Sequence, residues 1–371
     1  MRQALSQARR ASGRTFPNPP VGAVVFRGDR ILGRGYTRPA GGPHAEVVAL
    51  GRATQRFGAG KVRGASLAVT LEPCSHVGRT GPCTQQVIDA GVRRVIVGHA
   101  DPHERVRGRG LRRLRGAGID VCVGVLEAEC REQHRGFLSV CERARPFVTL
   151  KLAASLDGRI ATARGESRWI TGPASRAAVH RLRNRTDALM VGSETALADD
   201  PELTVRRDGR VLHRPLRVLV DSRLRVPENA RLFRGDPERT WVLCAGAAPE
   251  RRRRAREKLG ARLIRVPARG GHLDLRAALE KLATAGLTDL LVEGGGGLAA
   301  ALLRRGLVDE LHWFTSPLLL GADGRAGLGA LQVPSLATAF CVADMRCLRR
   351  GEDLHLWGRV ERRERGRGGR T

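Results

Sequence analysis

Three side chains that suit zinc lie between residues 44 and 83. Thirty residues separate His44 from Cys74, and Cys83 follows nine residues later. One imidazole and two thiolates supply three ligands of a tetrahedral zinc ion and leave its fourth position open to water. Structural zinc sites are instead closed by a fourth Cys or His. The spacing therefore predicts a catalytic zinc centre held by His44, Cys74 and Cys83.

A carboxylate lies beside this predicted centre. Glu46 comes two residues after His44 at the expected start of a helix, where positions two apart do not share a face. Glu46 can therefore reach a zinc-bound water while His44 binds the metal. Zinc lowers the pKa of its water, so we expect Glu46 to accept a proton from that water and deliver it to a departing amine. An H-x-E motif followed by Pro-Cys is typical of zinc-dependent base deaminases.

A run of glycines predicts a second site in the later part of the chain. Gly294–Gly297 lie between an apolar strand, Leu290–Val292, and an apolar helix that begins at Leu298. Glycine lets a backbone approach a phosphate closely, and a helix N-terminus attracts anions. The spacing is not that of a Rossmann fingerprint. We interpret the run as a loop for a nucleotide phosphate, and a flexible connection is the alternative interpretation.

Alternating strands and helices must position both sets of residues. In the first part of the chain, apolar strands such as 22–26 and 66–71 alternate with helices, which predicts a three-layer α/β sandwich. A connecting helix is expected over Glu127–Arg145, and a second α/β region opens with the strand Phe147–Leu152. We expect two domains and a charged, Gly-rich flexible tail, with the bounds 1–145, 146–361 and 362–371.

The segment around the two cysteines resembles the signature of the riboflavin-biosynthesis pyrimidine deaminases. Residues 70–83 read Thr-Leu-Glu-Pro-Cys-Ser-His-Val-Gly-Arg-Thr-Gly-Pro-Cys, whereas cytidine and transfer-RNA deaminases typically have C-x-x-C. Residues 17–24 and 101–110 resemble the family's opening strand and a later loop. The resemblance implies a cytidine-deaminase-like three-layer α/β/α domain. Its substrate would be 2,5-diamino-6-ribosylamino-4(3H)-pyrimidinone 5′-phosphate.

The same resemblance implies two substrate contacts. Asn18 is expected to contact the pyrimidine, and Arg79 to lie near the ribose phosphate, to which a guanidinium is well suited. Three positions depart from the usual residues of the family: Thr37 replaces a common His, Gly81 replaces a Pro, and His103 replaces an Asn. None of the three is a zinc ligand or the acid/base. The departures therefore concern substrate contacts and leave the expected chemistry unchanged.

The second half resembles the reductase that often follows this deaminase, which has a dihydrofolate-reductase-like α/β fold and uses NADPH. The resemblance rests on four segments, residues 150–159, 165–171, 198–206 and 293–297. It implies an NADPH site lined by Ala153, Trp169, Thr195, Asp199, Ser222, Gly295, Gly296 and Gly297. It also implies a ribosyl-phosphate site formed by Ser167, Arg183, Leu203, Arg206 and Glu293. Lys151 is added to the second set as a candidate for handling a proton.

Together the two halves predict a bifunctional enzyme of riboflavin biosynthesis, both hydrolase and oxidoreductase. The first domain would remove the 2-amino group of the pyrimidine phosphate hydrolytically with zinc. The second would reduce the ribosyl group to ribityl with NADPH. The product would be 5-amino-6-(5-phosphoribitylamino)uracil.

The charge of the chain suggests an alternative. Lys and Arg number 66 against 37 Asp and Glu, so the formal net charge is +29, and such an excess is typical of nucleic-acid binding. The alternative is a zinc deaminase that acts on RNA or another nucleobase and has a basic nucleic-acid-binding second domain. The long cysteine spacing and the NADPH-like second half argue against it. A non-catalytic regulatory binder is disfavoured because all four zinc-site residues are present.

Composition favours a cytoplasmic protein. No apolar run approaches the roughly 20 residues that cross a bilayer, and the N-terminus has no apolar signal segment. The eight Cys do not form the dense pattern of a small secreted scaffold. We therefore expect a phosphorylated pyrimidine as the partner, with no membrane or nucleic acid, and a homo-oligomer remains open.

Overall fold

The computed structural model describes residues 1–75, 81–102 and 107–362. The chain divides into two compact units. The first comprises Met1–Pro146 with Gly286–Thr288, and the second comprises Phe147–Ala285 with the chain from Asp289 onward. Strands alternate with helices in both units, as the sequence predicts. Among the described residues, no helix is long and apolar enough to cross a membrane.

The first unit is built on a five-stranded sheet. The elements of this unit are α1 (Arg2–Ala11), β1 (Gly22–Arg27), β2 (Arg30–Tyr36), α2 (Ala45–Phe57), α3 (Ala59–Val62), β3 (Ser66–Leu71), α4 (Cys83–Asp89), β4 (Arg94–His99), α5 (Arg109–Gly116), β5 (Asp120–Val123), α6 (Glu127–Gln133) and α7 (Arg135–Arg143). The strand order is β2-β1-β3-β4-β5. Strands β1 and β2 form a hairpin, β1 is antiparallel to β3, and β3, β4 and β5 are parallel.

Helices cover both faces of this sheet. A Cβ atom on Gly35 of β2 would lie 2.2 Å from the backbone oxygen of Ala45, so Gly35 faces α2. A Cβ atom on Gly22 of β1 would lie 2.0 Å from a backbone oxygen of α1. Gly22 pairs with Tyr36, and neighbouring residues of a strand point to opposite faces, so Gly22 and Gly35 face opposite sides. The predicted three-layer α/β/α fold is therefore confirmed.

Two glycines of β2 set how closely α2 approaches the sheet. A Cβ atom added to Gly33 would lie 2.2 Å from the backbone oxygen of Ala49, and one added to Gly35 would lie 2.2 Å from the backbone oxygen of Ala45. No residue with a Cβ fits at that separation. This contact sets the distance between β2 and the start of α2. Because Ala45 lies between His44 and Glu46, it also sets how far these two residues lie from the sheet.

The second unit has a nine-stranded sheet made of β6 (Phe147–Ala154), β8 (Ala188–Gly192), β11 (Leu216–Val220), β12 (Thr240–Ala245), β13 (Arg262–Val266), β16 (Asp289–Val292), β17 (Glu310–Thr315), β19 (Phe340–Arg350) and β20 (Asp353–Arg362). Its order is β13-β12-β11-β8-β16-β6-β17-β20-β19. The first seven strands in this order are parallel, and β20 and β19 continue the sheet in antiparallel pairing. Ligands of parallel α/β sheets bind beyond the carboxyl ends of the strands. The ends of β6, β8 and β16 are therefore where a site is expected.

The elements of the second unit follow in chain order, and three short 3-10 helices lie at Arg231–Phe233, Pro237–Arg239 and Leu336–Thr338. The others are β6 (Phe147–Ala154), β7 (Arg159–Ala161), α8 (Pro173–Arg183), β8 (Ala188–Gly192), α9 (Ser193–Asp199), β9 (Val205–Arg207), β10 (Arg210–His213), β11 (Leu216–Val220), β12 (Thr240–Ala245), α10 (Glu250–Lys258), β13 (Arg262–Val266), β14 (Ala268–Arg269), β15 (His272–Leu273), α11 (Leu275–Thr284), β16 (Asp289–Val292), α12 (Gly296–Arg304), β17 (Glu310–Thr315), β18 (Arg325–Ala326), β19 (Phe340–Arg350) and β20 (Asp353–Arg362). Arg362, placed in the tail by the sequence, ends β20, and 363–371 lie outside the described residues.

The sequence predicts one connecting helix over 127–145, but the structure has two, and His134 separates them. The ring of His134 is buried, with Nδ1 2.8 Å from Nε2 of His99 and Nε2 3.2 Å from Oγ1 of Thr70. Nδ1 of His99 lies 2.8 Å from the carbonyl oxygen of Ala100, to which it donates. Burial, reinforced by His99, lowers the pKa of His134 to about 3. The contacts of His134 with Thr70 and His99 therefore tie the junction of α6 and α7 to β3 and β4.

Candidate active sites

The three predicted zinc ligands converge on one point in the first unit. His44 immediately precedes α2, Cys74 follows β3, and Cys83 is the first residue of α4. Nδ1 of His44 lies 3.2 Å from Sγ of Cys83 and 3.6 Å from Sγ of Cys74. All three ligand atoms lie within 4.8 Å of one another. Across the described ranges, they form the one group of at least three His, Cys, Asp or Glu with this geometry.

Backbone groups at the start of α4 hold Cys74 and contact its sulfur. The N–H of Cys83 lies 3.4 Å from Sγ of Cys74, and the N–H of Thr84 donates to the carbonyl oxygen of Cys74 at 3.1 Å. Hydrogen bonding from the Cys83 thiol and from His44 lowers the pKa of Cys74 to about 4, although burial opposes this. One imidazole and two sulfurs at these separations fit the donor set and tetrahedral geometry that zinc prefers.

The predicted acid/base lies at the same point. Glu46 is in the first turn of α2 and only 4% of it is exposed. Burial, and then the negative charge of Cys74, raise the pKa of Glu46 to about 7, while His44 opposes the rise. A carboxyl group with such a pKa exchanges a proton readily near neutral pH.

The predicted substrate contacts of the first unit are only partly described. Asn18 is half-buried in the loop before β1, where its N–H donates to the carbonyl oxygen of Thr15 at 2.9 Å. Arg79 and His103 lie outside the described residues. Thr37, one of the departures from the family, is buried, and its Oγ1 accepts the N–H of Val21 at 3.2 Å. Thr37 therefore ties the ends of β1 and β2 together.

A large cavity lies at the carboxyl ends of β6, β8 and β16 in the second unit. Its volume is about 1210 Å³. Most of the residues predicted for NADPH and substrate line it: Lys151, Ala153, Ser167, Trp169, Arg183, Thr195, Asp199, Leu203, Arg206, Glu293 and Gly295. Sites for drug-sized ligands measure about 300–1,000 Å³, so this cavity is larger than a typical site for one such ligand.

Three predicted cofactor residues are not part of this lining: Ser222, Gly296 and Gly297. The carbonyl oxygen of Ser222 accepts the N–H of Ala245 at 3.0 Å. A Cβ atom on Gly296 would lie 2.8 Å from the backbone oxygen of Ala326, so this glycine lets α12 pack against a neighbouring segment. The N–H of Gly295 instead donates to Oγ1 of Thr195 at 2.8 Å, which places Gly295 at the cavity edge.

An ion pair of two predicted substrate residues lies in the cavity wall. Nε and Nη2 of Arg183 donate to the two carboxylate oxygens of Glu293 at 2.6 and 2.8 Å, and Nη1 donates to the Thr204 carbonyl oxygen at 2.9 Å. Burial would raise the pKa of Glu293, but the charge and hydrogen bonds of Arg183, with Lys151, outweigh it and lower that pKa. Burial also lowers the pKa of Lys151, which Glu293 opposes.

Arg206 belongs to a second charged group that sequence reasoning missed. Glu202 accepts hydrogen bonds from Arg206 and from Nη2 of Arg231, the latter at 2.7 Å, and all three line the cavity. His180 also lines it, and its Nδ1 accepts the N–H of Arg206 at 3.1 Å. The spacing of three residues between His180 and Arg183 on α8 is a signal that could have identified His180.

Comparison with known proteins relates both halves to characterised families. The cytidine and deoxycytidylate deaminase zinc-binding region matches residues 1–99. The RibD C-terminal domain matches residues 146–356. The riboflavin biosynthesis protein RibD of Escherichia coli is 41% identical over 96% of this chain and 98% of its own length. That of Aquifex aeolicus is 39% identical over 95% of this chain and 96% of its own length. The chain belongs to the RibD family.

Solved structures of RibD proteins share the fold over nearly the whole length. One structure of Acinetobacter baumannii RibD has a TM-score of 0.84 at 34% identity and covers 97% of both chains. The diaminohydroxyphosphoribosylaminopyrimidine deaminase/5-amino-6-(5-phosphoribosylamino)uracil reductase of Thermotoga maritima has a TM-score of 0.80 at 33% identity and covers 98% of this chain and 97% of its own. This RibD chain is therefore a bifunctional deaminase and reductase of riboflavin biosynthesis. The RNA-directed alternative is set aside.

Proposed function

We propose that this chain acts twice on one phosphorylated pyrimidine. In the first unit, water would replace the 2-amino group of 2,5-diamino-6-ribosylamino-4(3H)-pyrimidinone 5′-phosphate, and ammonia would leave. In the second, the ribosyl group would be reduced to ribityl with NADPH, giving 5-amino-6-(5-phosphoribitylamino)uracil. The convergence of His44, Cys74 and Cys83 beside the buried Glu46 carries the proposal. The name of the Thermotoga maritima relative supports the order of the two reactions.

His44, Cys74 and Cys83 would hold the zinc ion, which supplies a Lewis acid that lowers the pKa of a bound water. Glu46 would accept a proton from water and return it to the departing amine. The pyrimidine C2 then forms a bond to the water oxygen and breaks its bond to nitrogen, so that one water is consumed for each ammonia released. The buried position of Glu46 beside the three ligands suits both directions of this transfer.

For substrate binding in the first unit, we assign Asn18 to the pyrimidine and Arg79 to the ribose phosphate. The loop that carries Asn18 is held by its backbone contact with Thr15. The assignment of Arg79 depends on the family resemblance, since this residue lies outside the described part of the chain.

In the second unit, the cavity would hold NADPH and the ribosyl phosphate together. NADPH supplies the hydride when bound, and the protein orients it towards the sugar. The residues assigned to the cofactor that line the cavity are Ala153, Trp169, Thr195, Asp199 and Gly295. Ser222, Gly296 and Gly297 are assigned to it by resemblance alone. The volume of the cavity and its arginines, which suit phosphate, support this assignment.

The ribosyl phosphate is assigned to five residues and to Lys151. Arg183 and Arg206 would bind the phosphate, while Ser167, Leu203 and Glu293 complete the wall. Lys151 remains the candidate for handling a proton, because its burial favours the neutral form. We also propose that the enzyme works in the cytoplasm.

The decisive experiment supplies the purified enzyme with the diaminopyrimidine phosphate and NADPH and follows ammonia and NADPH oxidation separately. Both signals should appear, and ammonia release alone should continue without NADPH. Supplying the deaminated intermediate should give NADPH oxidation without ammonia. Failure of either signal with zinc-loaded enzyme would remove the corresponding half of the proposal.

A further inference from the structure

A buried glutamate outside the zinc-ligand set lies two residues before Cys74. Glu72 follows β3, is only 3% exposed, and its own N–H donates to the carbonyl oxygen of His99 at 3.1 Å. A buried carboxylate is costly unless hydrogen bonds compensate its charge. The partners of this carboxylate therefore indicate what it does.

The Glu72 carboxylate accepts four backbone N–H groups. Oε2 accepts those of Asp101 at 3.1 Å and Gly108 at 3.0 Å. Oε1 accepts those of Gly110 at 2.9 Å and Leu111 at 3.3 Å. Gly110 and Leu111 are in the first turn of α5, where amides have no partner within the helix. Gly108, the residue that precedes α5, has no side chain to cap them, so Glu72 serves as the cap from 38 and 39 residues away.

The two segments also touch through their backbones. A Cβ atom on Gly110 would lie 2.2 Å from the carbonyl oxygen of Pro73. Pro73 is the link between Glu72 and Cys74. The start of α5 is thus pressed against the peptide that carries the zinc ligand, and it is held there by the Glu72 carboxylate.

We propose that Glu72 is a positioning residue for the zinc centre, which fixes Cys74 by tying its segment to the start of α5. Glu72 touches neither the metal nor the substrate in this assignment. The inference depends on the zinc site proposed above. Its tests therefore use the metal itself as a probe, and each compares the variant with wild-type enzyme.

The principal test replaces Glu72 with glutamine in the full chain. In Glu72→Gln, the amide NH2 faces two N–H donors, so about half of the four hydrogen bonds to this side chain are lost. We expect zinc affinity, measured by competition with a chelator, to fall about tenfold, as for other supporting residues of metal sites. The kcat for ammonia release should fall about tenfold while KM changes less than twofold, because the substrate contacts are not altered. Glu129→Gln, an exposed change on α6, is the matched control.

Cobalt substitution gives a readout that simple loss of stability does not move. Co²⁺ bound by two thiolates absorbs in the visible and near-ultraviolet regions, and the bands depend on ligand geometry. Glu72→Gln should shift these bands at saturating Co²⁺, whereas Glu129→Gln should not. NADPH oxidation with the deaminated intermediate should be unchanged in both variants, since that reaction belongs to the second unit.

Two measurements decide the matter if Glu72→Gln does not fold. Hydrogen exchange of the wild-type enzyme should show slow exchange at Gly110 and Leu111, which would exchange rapidly in an uncapped first turn. Gly110→Ala should shift the cobalt bands in the same way, because its Cβ displaces Pro73. Rapid exchange at these amides, or a Glu72→Gln enzyme with wild-type bands and kcat, would overturn the inference. Absence of metal from the wild-type enzyme would instead refute the zinc site.

Discussion

The two sites of this chain are ordered by different means. In the first unit, backbone N–H groups and the starts of two helices bring three ligand atoms within 4.8 Å of one another. In the second, ion pairs between distant segments line a cavity of about 1210 Å³, as Arg183 and Glu293 illustrate. The first site depends on close packing and is sensitive to atoms added to the backbone. The second depends on charge pairing and is sensitive to the loss of a single charge.

The largest effect should come from removing the acid/base of the compact site. Glu46→Gln keeps the shape of the side chain but cannot accept a proton, so ammonia release should fall about 10³-fold. The metal content should be retained, and NADPH oxidation with the deaminated intermediate should be unchanged. Ammonia and NADPH assays with metal analysis check this. Normal deamination by the variant would show that another group moves the proton.

Loss of one charge should disable the second site. Glu293→Gln leaves Arg183 buried without its carboxylate, so reductase kcat/KM should fall about 10²-fold, which corresponds to about 2.7 kcal/mol. Unfolding of the second unit should also become easier by about 3 kcal/mol. Glu194→Gln, which removes an exposed partner of Arg225, is the matched control. Equal effects of the two changes would contradict the importance of buried pairing.

Adding one methyl group should test the packing of the first unit. In Gly35→Ala, the new Cβ would meet the backbone oxygen of Ala45 at 2.2 Å, so the first unit should lose about 1–3 kcal/mol of stability. Deaminase activity should fall with it, because the start of α2 must move. Gly51 lies in α2 and faces open space, so Gly51→Ala should be neutral or stabilise the first unit by up to about 1 kcal/mol. Urea unfolding of both variants gives the comparison.

The smallest expected effect is the pH dependence of stability caused by His134. Its folded pKa is about 3, below the ordinary value of 6.5, so the unfolded chain binds a proton that the folded chain does not. This contribution is constant above pH 6.5 and lost as pH falls towards 3. The loss of folding stability between pH 6.5 and pH 5 is about 2 kcal/mol. Urea unfolding should show it, and His134→Asn should weaken it.

The control for this pH dependence is His272→Gln, which changes an exposed histidine of the second unit. Its unfolding should follow the wild-type pH profile. A wild-type first unit whose stability did not change between pH 6.5 and 5 would contradict the assigned protonation of His134.

Much of the compact site could be predicted because its information is local. The spacing of His44, Cys74 and Cys83 and the position of Glu46 follow from motif chemistry, and the geometry brings the three ligands together. The alternation of strands and helices likewise predicts the α/β fold. The capping role of Glu72 could not be predicted, because its partners lie some thirty to forty residues later and depend on where α5 packs.

In the second unit, contacts between distant segments limit sequence prediction for a related reason. Gly296 lies in the glycine run assigned to the cofactor, and only the structure shows that it also lets α12 pack against Ala326. In the chain, β9, β10 and β11 lie between Glu202 and Arg231, so no local pattern joins this ion pair. The break at His134 was missed because the helical pattern of residues 127–145 does not reveal that the His134 ring is hydrogen-bonded to His99 of β4.

The contact between β2 and α2 determines where this enzyme could be altered by laboratory selection. Mutational libraries at Gly33 and Gly35 would return few active clones, whatever substrate was offered, since every other amino acid pushes the helix away. Gly51 and Gly60 face open space, so diversity there would be tolerated. A search for new substrate preference would therefore keep Gly33 and Gly35 unchanged and mutate the loop around Asn18.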